Sequence, residues 1–338
     1  MKHFPPTELA LNACQQVYHL GLSPENIADT ILLVGDQDRV SLISDFFDEI
    51  THKSNHREFV CHTGIYHGKR ISALSTGIGT DNIDITVNEL DALVNIDLQN
   101  RTEIAEKKKL KLIRIGTCGI LQPQIPIHSY IVSSHAFGLD NVAHFYDIDF
   151  LDHEVFMNDK LKTFLNLPER ISPYFVSADP SLTYLLTSDR AFPGITITSS
   201  GFYGPQGRQL RLNTKIADIQ MKSQYFEENS LRLMNFEMES SALFALGRAL
   251  GHQCATICLG VANRPTETFS DGYKEHMQGL IAYVLGIGLN DVGNFLSTGS
   301  APRCPKINEN IFPFQFGQFY FFSFVGHQAN FGCFSFRR

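Results

Sequence analysis
The chain predicts an α/β fold, a three-layer sandwich around a central mixed β-sheet. Three observations carry that expectation. The short run Ile31-Leu32-Leu33-Val34 is apolar at every position and is stopped by Gly35, as in a strand buried on both faces. Stretches of helical period, such as Ile83, Val87, Leu90 and Val94, alternate with strand-like stretches such as Leu112–Ile115. The length, 338 residues, suffices for one large core or two modest ones.

Residues 1–30 read as a polar lead-in containing Tyr18-His19-Leu20-Gly21-Leu22. After the 31–34 strand, Val40–Ile50 suits a helix. Arg57–Tyr66 and Arg70–Ser75 straddle His67-Gly68-Lys69 and predict a hairpin. Ser75-Thr76-Gly77-Ile78-Gly79-Thr80 then opens the helix marked by Ile83 to Val94. Leu112–Ile115, Tyr130–Ser133, Ile195–Ser199 and Ala255–Val261 are strand-like. One helix follows Glu239, with Ala242, Leu243, Ala245, Leu246, Ala249 and Leu250 on its apolar side, and another runs from about Tyr273 to Phe295. The domain is expected over residues 1–296. Beyond it, ten of the 27 phenylalanines crowd between Phe312 and Phe336 without lasting periodicity, so residues 297–338 are set apart as a tail foreign to the domain.

The formal net charge of −7 argues against nucleic acid or an anionic membrane as partner, so any phosphate chemistry must use locally gathered arginines. No apolar run reaches the ~18 residues of a membrane span. Met1–Ala13 lacks the pattern of a signal peptide. Seven cysteines, odd in number and without a CxxC pair, predict reduced thiols and a cytoplasmic location. The histidines at 52, 56, 62 and 67, with Cys61, sit on turn-like and hairpin segments that do not aim them at one point, so no metal is expected. Ser75–Gly79 lacks the third glycine of a dinucleotide fingerprint, and neither a P-loop nor a G-x-S-x-G elbow occurs.

The chemistry-bearing stretch is Asn235-Phe236-Glu237-Met238-Glu239-Ser240-Ser241. Two carboxylates at the mouth of an amphipathic helix can stay ionised among unpaired N–H groups and accept hydrogen bonds from a polyol; they equally fit residues that merely satisfy backbone donors. Upstream, Arg39, Arg57 and Arg114 lie in segments suited to an anion. Guanidinium forks bind phosphate without risk of deprotonation, and a glycine such as Gly35 lets a backbone N–H approach. Arg39 and Gly35 also follow a buried strand, where ligands gather in open α/β sheets.

With these stretches in family order from residue 18 to 296, the chain resembles the uridine phosphorylase branch of the purine and uridine nucleoside phosphorylases. The likeness is carried by Tyr18–Leu22, Val34–Val40, His56–Phe59, Ser75–Gly79, Arg114–Gly119, Phe202–Arg208, Asn235–Ser240 and Val261–Arg264. It implies a nucleoside phosphorylase-like fold and a pentosyltransferase converting uridine and phosphate to uracil and ribose 1-phosphate. Gly35, Arg39, Arg114 and Thr117 would hold phosphate, with Arg57 from a neighbouring subunit. Glu239 would take the ribose hydroxyls, Met238 would pack on the sugar, and His19 of the neighbour would meet the 5′-hydroxyl. Phe202 would stack on the base while Gln206 and Arg208 read its pyrimidine edge; Arg114, Arg208 and Glu239 are the catalytic set. No cofactor is implied, since inorganic phosphate is the co-substrate; a monovalent cation near Glu58 stays open. The smallest active unit would be a homodimer, within a hexamer. Purine-selective relatives place an aspartate where this chain has Asn263, which cannot protonate a purine. Alternatives are a purine nucleoside phosphorylase or nucleoside hydrolase of the same fold, or a catalytically silent nucleoside- or phosphate-binding protein. Two departures stand out: Gly204-Pro205 before Gln206, and Cys118, a thiol expected to make activity oxidation-sensitive.

Overall fold
The computed structural model describes residues 2–292. The expected tail lies outside the described residues, as does Phe295, the end expected for the last helix, which is described over Lys274–Val292. Strand Thr30–Val34 behaves as its composition demands. Ile31 and Leu33 enter one buried cluster with Ile83, Val87, Leu90, Leu243 and Leu246, while Leu32 and Val34 enter another with Val40, Ile43, Leu182, Met277 and Leu280. Helices Thr80–Asn95 and Ser240–Ala249 therefore cover one face; Asp38–Ser44, Pro180–Leu186 and Lys274–Val292 cover the other. The three-layer α/β sandwich is as expected.

Across the sheet the strands run Leu231–Glu237, Ala191–Thr198, Tyr130–Gly138, Gln253–Asn263, Lys111–Ile120, Thr30–Val34, Lys69–Ser75, Phe59–Tyr66 and Glu49–His56. The sheet is mixed. Thr30–Val34 is parallel to both neighbours, whereas the last three strands form antiparallel hairpins. Leu231–Glu237 also pairs antiparallel with the end of Lys111–Ile120, through Asn235↔Ile120 and Phe236↔Gly119, closing a ring of five strands.

Two segments differ from expectation. The helix expected over Val40–Ile50 ends at Ser44, and Glu49–His56 is instead an edge strand paired with Phe59–Tyr66. Its residues are polar and alternate between exposed and half-buried, so no apolar period marks it. Likewise Asn235–Glu237, read as the approach to a helix, ends a strand; the helix begins only at Ser240. Helix Asp152–Leu165 was not anticipated, although Met157, Leu161 and Leu165 carry its buried stripe.

Candidate active site
The centre of the site is Arg114, which strand Lys111–Ile120 delivers into the interior with 5% of its surface exposed. Gly116 makes its placement possible. A Cβ there would lie 2.1 Å from Arg114 Nη1 and 2.8 Å from Cys258 Sγ, so no larger residue leaves room for the guanidinium. Arg114 Nη1 sits 3.2 Å from Glu237 Oε2, Nη2 pairs with Glu239 Oε2, and Nη1 donates to Cys258 Sγ at 3.4 Å. Burial alone would lower the guanidinium's pKa; Glu239 and Glu237 more than reverse it and push it up.

The two carboxylates have different duties. Glu237 is the anion of the helix mouth: its Oε2 accepts from Glu239 N and Ser240 N, each at 3.0 Å, and its Oε1 accepts from Thr198 Oγ1 at 2.5 Å. Glu239 occupies the N-cap position but accepts nothing from its own helix. Its Oε1 takes the N–H of Gly79 at 2.8 Å, where the Ser75–Gly79 loop turns into the next helix. Gly79 has φ +99°, a conformation that only glycine adopts at little cost. Burial raises the Glu239 carboxyl above its ordinary value against the pull of Arg114, and Glu237 adds to the rise.

The other half of the site is cationic. Arg208 lies over the ring of Phe202, 3.7 Å from its centroid, and its Nη1 donates to Gln206 Oε1 at 2.9 Å. Arg264 donates to the same oxygen from Nη2. With Gln206 Oε1 occupied twice, its Nε2 hydrogens are the groups left for a ligand. Burial and the charge of Arg208 push the Arg264 pKa down to about 9, a sign of positive charge lacking a counter-ion. Asn263, by contrast, turns away: its Nδ2 donates to Gln122 O and Ile125 O, and its Oδ1 accepts from Thr266 N.

These elements enclose a cavity of about 720 Å³. All nine residues expected from the chain's own site line it: Gly35, Arg39, Arg114, Thr117, Phe202, Gln206, Arg208, Met238 and Glu239. A larger hollow of about 1030 Å³ lies beside it and shares Arg208, but neither glutamate of the helix mouth reaches it. His19 and Arg57 line neither. They share one outer patch, where His56 Nδ1 approaches His19 O at 2.7 Å and Arg57 lies 5.5 Å from the Tyr18 ring. The sequence reading missed Arg264. Its one signal is its place directly after Asn263, at the end of strand Gln253–Asn263. Phe202 is half exposed, and Arg208 covers its ring. Cys118 lines the cavity, but burial, aided by a hydrogen bond with Cys258, raises its pKa well above the usual thiol range. It stays a protonated, poorly reactive thiol, which removes the basis for the expected oxidation sensitivity.

Among the described residues, ten buried side-chain polar atoms have no hydrogen-bond partner, and three of them are Nε of Arg39, Arg114 and Arg264 in this one cavity. Buried donors without partners are rare in folded proteins, and their convergence marks a site shaped for an electron-rich ligand.

The comparisons with known proteins agree with this geometry. The chain is 30% identical over 259 residues to the uridine phosphorylase of Thermococcus kodakarensis, covering 76% of this chain and 82% of that one. It is 31% identical over 238 residues to a DeoD-type purine nucleoside phosphorylase of Brevibacillus brevis, covering 68% and 79%. Among solved structures, the Trypanosoma brucei nucleoside phosphorylase described as showing uridine phosphorylase activity superposes with a TM-score of 0.74 at 27% identity, covering 82% of this chain and 99% of that one. Residues 29–283 match the family model described as the phosphorylase superfamily, and to that superfamily the chain belongs.

Proposed function
We propose that the protein is a cytoplasmic nucleoside phosphorylase that converts uridine and phosphate reversibly to uracil and ribose 1-phosphate, for pyrimidine salvage. The observation that carries this reading is the division of charge within one cavity. Arg114 is matched by two carboxylates at the sugar end, whereas Arg208 and Arg264 face the base end with no carboxylate of the described residues within salt-bridge distance.

In this reading phosphate binds Arg39, Arg114, Thr117 and the backbone at Gly35, and Glu239 accepts hydrogen bonds from the ribose hydroxyls with Met238 against the sugar. As the bond from C1′ to the base breaks, its electron pair leaves with uracil and positive charge builds on the sugar. The phosphate dianion stabilises that cation and attacks C1′ from the opposite face. Arg208, Arg264 and Gln206 Nε2 offer only donors, which suits the two carbonyl oxygens of uracil and the charge they gain on departure. Nothing in these steps needs a metal or an organic cofactor. His19 and Arg57 lie together on an outer patch, which supports their presentation to a neighbouring subunit's site in a homodimer, the unit of a hexamer.

Purine specificity is the second reading, favoured by the purine phosphorylases among the relatives. Against it stands Asn263, whose amide is committed to backbone partners. The test is release of free base from uridine, thymidine, inosine and adenosine, with and without phosphate. Phosphate-dependent release from uridine is expected; release from inosine alone would establish the purine reading. Release without phosphate would establish a hydrolase, and nucleoside binding without release a silent binder.

Arg264→Ala is expected to lower kcat/KM for uridine about a hundredfold, since loss of one preorganised donor to developing negative charge costs that much. Arg208→Ala should act in the same direction. Steady-state kinetics equal to wild type for either variant would refute its placement against the base.

A further inference from the structure
We infer that Thr198 is a positioning residue, one that touches no substrate but fixes the phosphate-binding Arg114 through Glu237. The inference rests on the phosphorylase reading and deepens it.

Thr198 ends strand Ala191–Thr198, and none of its surface is exposed. A hydroxyl has one proton to give. Here its direction is forced, because Thr198 Oγ1 accepts the N–H of Ser241 at 3.0 Å and so turns its proton to Glu237 Oε1 at 2.5 Å. Ser241 is itself anchored from behind: its Oγ donates to Asp140 Oδ2 at 2.6 Å, and the Tyr174 hydroxyl donates to Asp140 Oδ1 at 2.8 Å. These three side chains are buried, so the acceptor side of Thr198 is held by a packed network rather than by solvent.

The donor side then decides the carboxylate. Glu237 has no oxygen to offer a ligand, because Oε2 takes Glu239 N, Ser240 N and Arg114, and Oε1 takes Ser240 N and Thr198. Thr198 is the only side-chain hydroxyl among those contacts and its bond, at 2.5 Å, is the shortest of them, so together with the backbone donors it sets the plane of the carboxylate. That plane fixes Arg114 Nη1 at 3.2 Å, whereas the Glu239 carboxylate has its own anchor in the N–H of Gly79 at 2.8 Å. Loss of the hydroxyl should tilt Glu237 and let Arg114 drift from the anion position. Phosphate affinity should suffer more than uridine affinity.

The experiment compares Thr198→Val, which keeps shape and removes the hydroxyl, with Thr198→Ser, which keeps the hydroxyl. For Thr198→Val the KM for phosphate is expected to rise about tenfold, the scale of one lost hydrogen bond to a charged group. The KM for uridine should stay within about twofold, and Thr198→Ser should restore the phosphate KM. Glu237→Gln, which weakens the hold on Arg114, should move the phosphate KM in the same direction, and Thr198→Ala, which also lacks the hydroxyl, replaces Thr198→Val in the comparison with Thr198→Ser if the valine variant does not fold. Equal losses for phosphate and uridine, or a serine variant as impaired as valine, would overturn the inference and leave Thr198 a packing residue. Calorimetric titration with inorganic phosphate alone separates this outcome from a wrong choice of nucleoside. If the wild type binds phosphate without splitting uridine, the uridine reading fails while the phosphate affinities of the variants still decide the role of Thr198. A wild type that binds no phosphate overturns both.

Discussion

Arg114→Ala is expected to abolish phosphate-dependent turnover and to destabilise the protein by about 3–5 kcal/mol at neutral pH, because removing one partner strands the charge of the others. Both effects come from one geometry. In the proposed reading the guanidinium offers the anion a preorganised donor, and it neutralises two carboxylates that are each 3% exposed. Without it, Glu239 loses its counter-charge, and protonation of this carboxyl, which burial already raises above its ordinary value, becomes the easiest relief. The stability deficit should therefore shrink on acidification, as Glu239 takes up a proton in the folded state. Thermal unfolding of wild type and variant between pH 5 and 8, alongside kinetics, tests this. A variant that loses activity but matches wild type in stability at every pH would show that the carboxylates do not depend on Arg114.

Glu239→Gln should separate function from stability. Activity is expected to fall by at least about a hundredfold, since a carboxylate accepts the ribose hydroxyls with charge-assisted bonds that an amide does not match. Stability at pH 7.5 is expected to rise. Burial lifts the folded-state pKa of Glu239 above its ordinary value of 4.5, so the folded protein binds more protons than the unfolded chain between those two values. Stability then falls as pH rises through that window, and at neutral pH the ionised carboxylate carries a cost. Glutamine removes the cost and leaves Arg114 paired with Glu237. The melting temperature of Glu239→Gln should exceed that of wild type at pH 7.5, with the gain vanishing toward pH 4.5. A lower melting temperature at pH 7.5 would mean that the pair with Arg114 outweighs burial. Residues kept for chemistry at a cost in stability are a general mark of active sites.

Much of this arrangement was legible in the sequence where local chemistry and tertiary role coincide. Ile31–Val34, apolar throughout and stopped by Gly35, reads as the strand covered on both sides that it is, and the period of Ile83, Val87 and Leu90 matches the buried face of their helix. All nine residues assigned to the chain's own site line one cavity. Gly35 and Arg39 are marked locally by the buried strand they follow, whereas Thr117, Met238, Phe202, Gln206 and Arg208 are marked only by the resemblance, since no local pattern sets them apart. What stayed hidden depends on contacts between distant segments. Glu49–His56 carries no apolar alternation, since an edge strand beside solvent needs none. Glu237 and Glu239 look alike in sequence. One is bound to its own helix and a threonine, the other to Gly79, and only the packed sheet separates them. Arg264 was overlooked because its meaning lies in its distance to Gln206 and Arg208, 58 and 56 positions away along the chain.

The five-strand ring has a mechanical consequence. Because Phe236 and Asn235 pair with Gly119 and Ile120, the segment carrying Thr117 and the segment carrying Glu237 are staples of a single hoop with no frayed rim between them. Prising those walls apart would mean rupturing ladder hydrogen bonds, whereas the Phe202–Arg208 turn is fastened at the mouth by side chains and a short 3-10 turn. The spacing of the Thr117 and Glu237 walls is thus set by the strand ladder, and the Phe202–Arg208 turn is a wall freer to move.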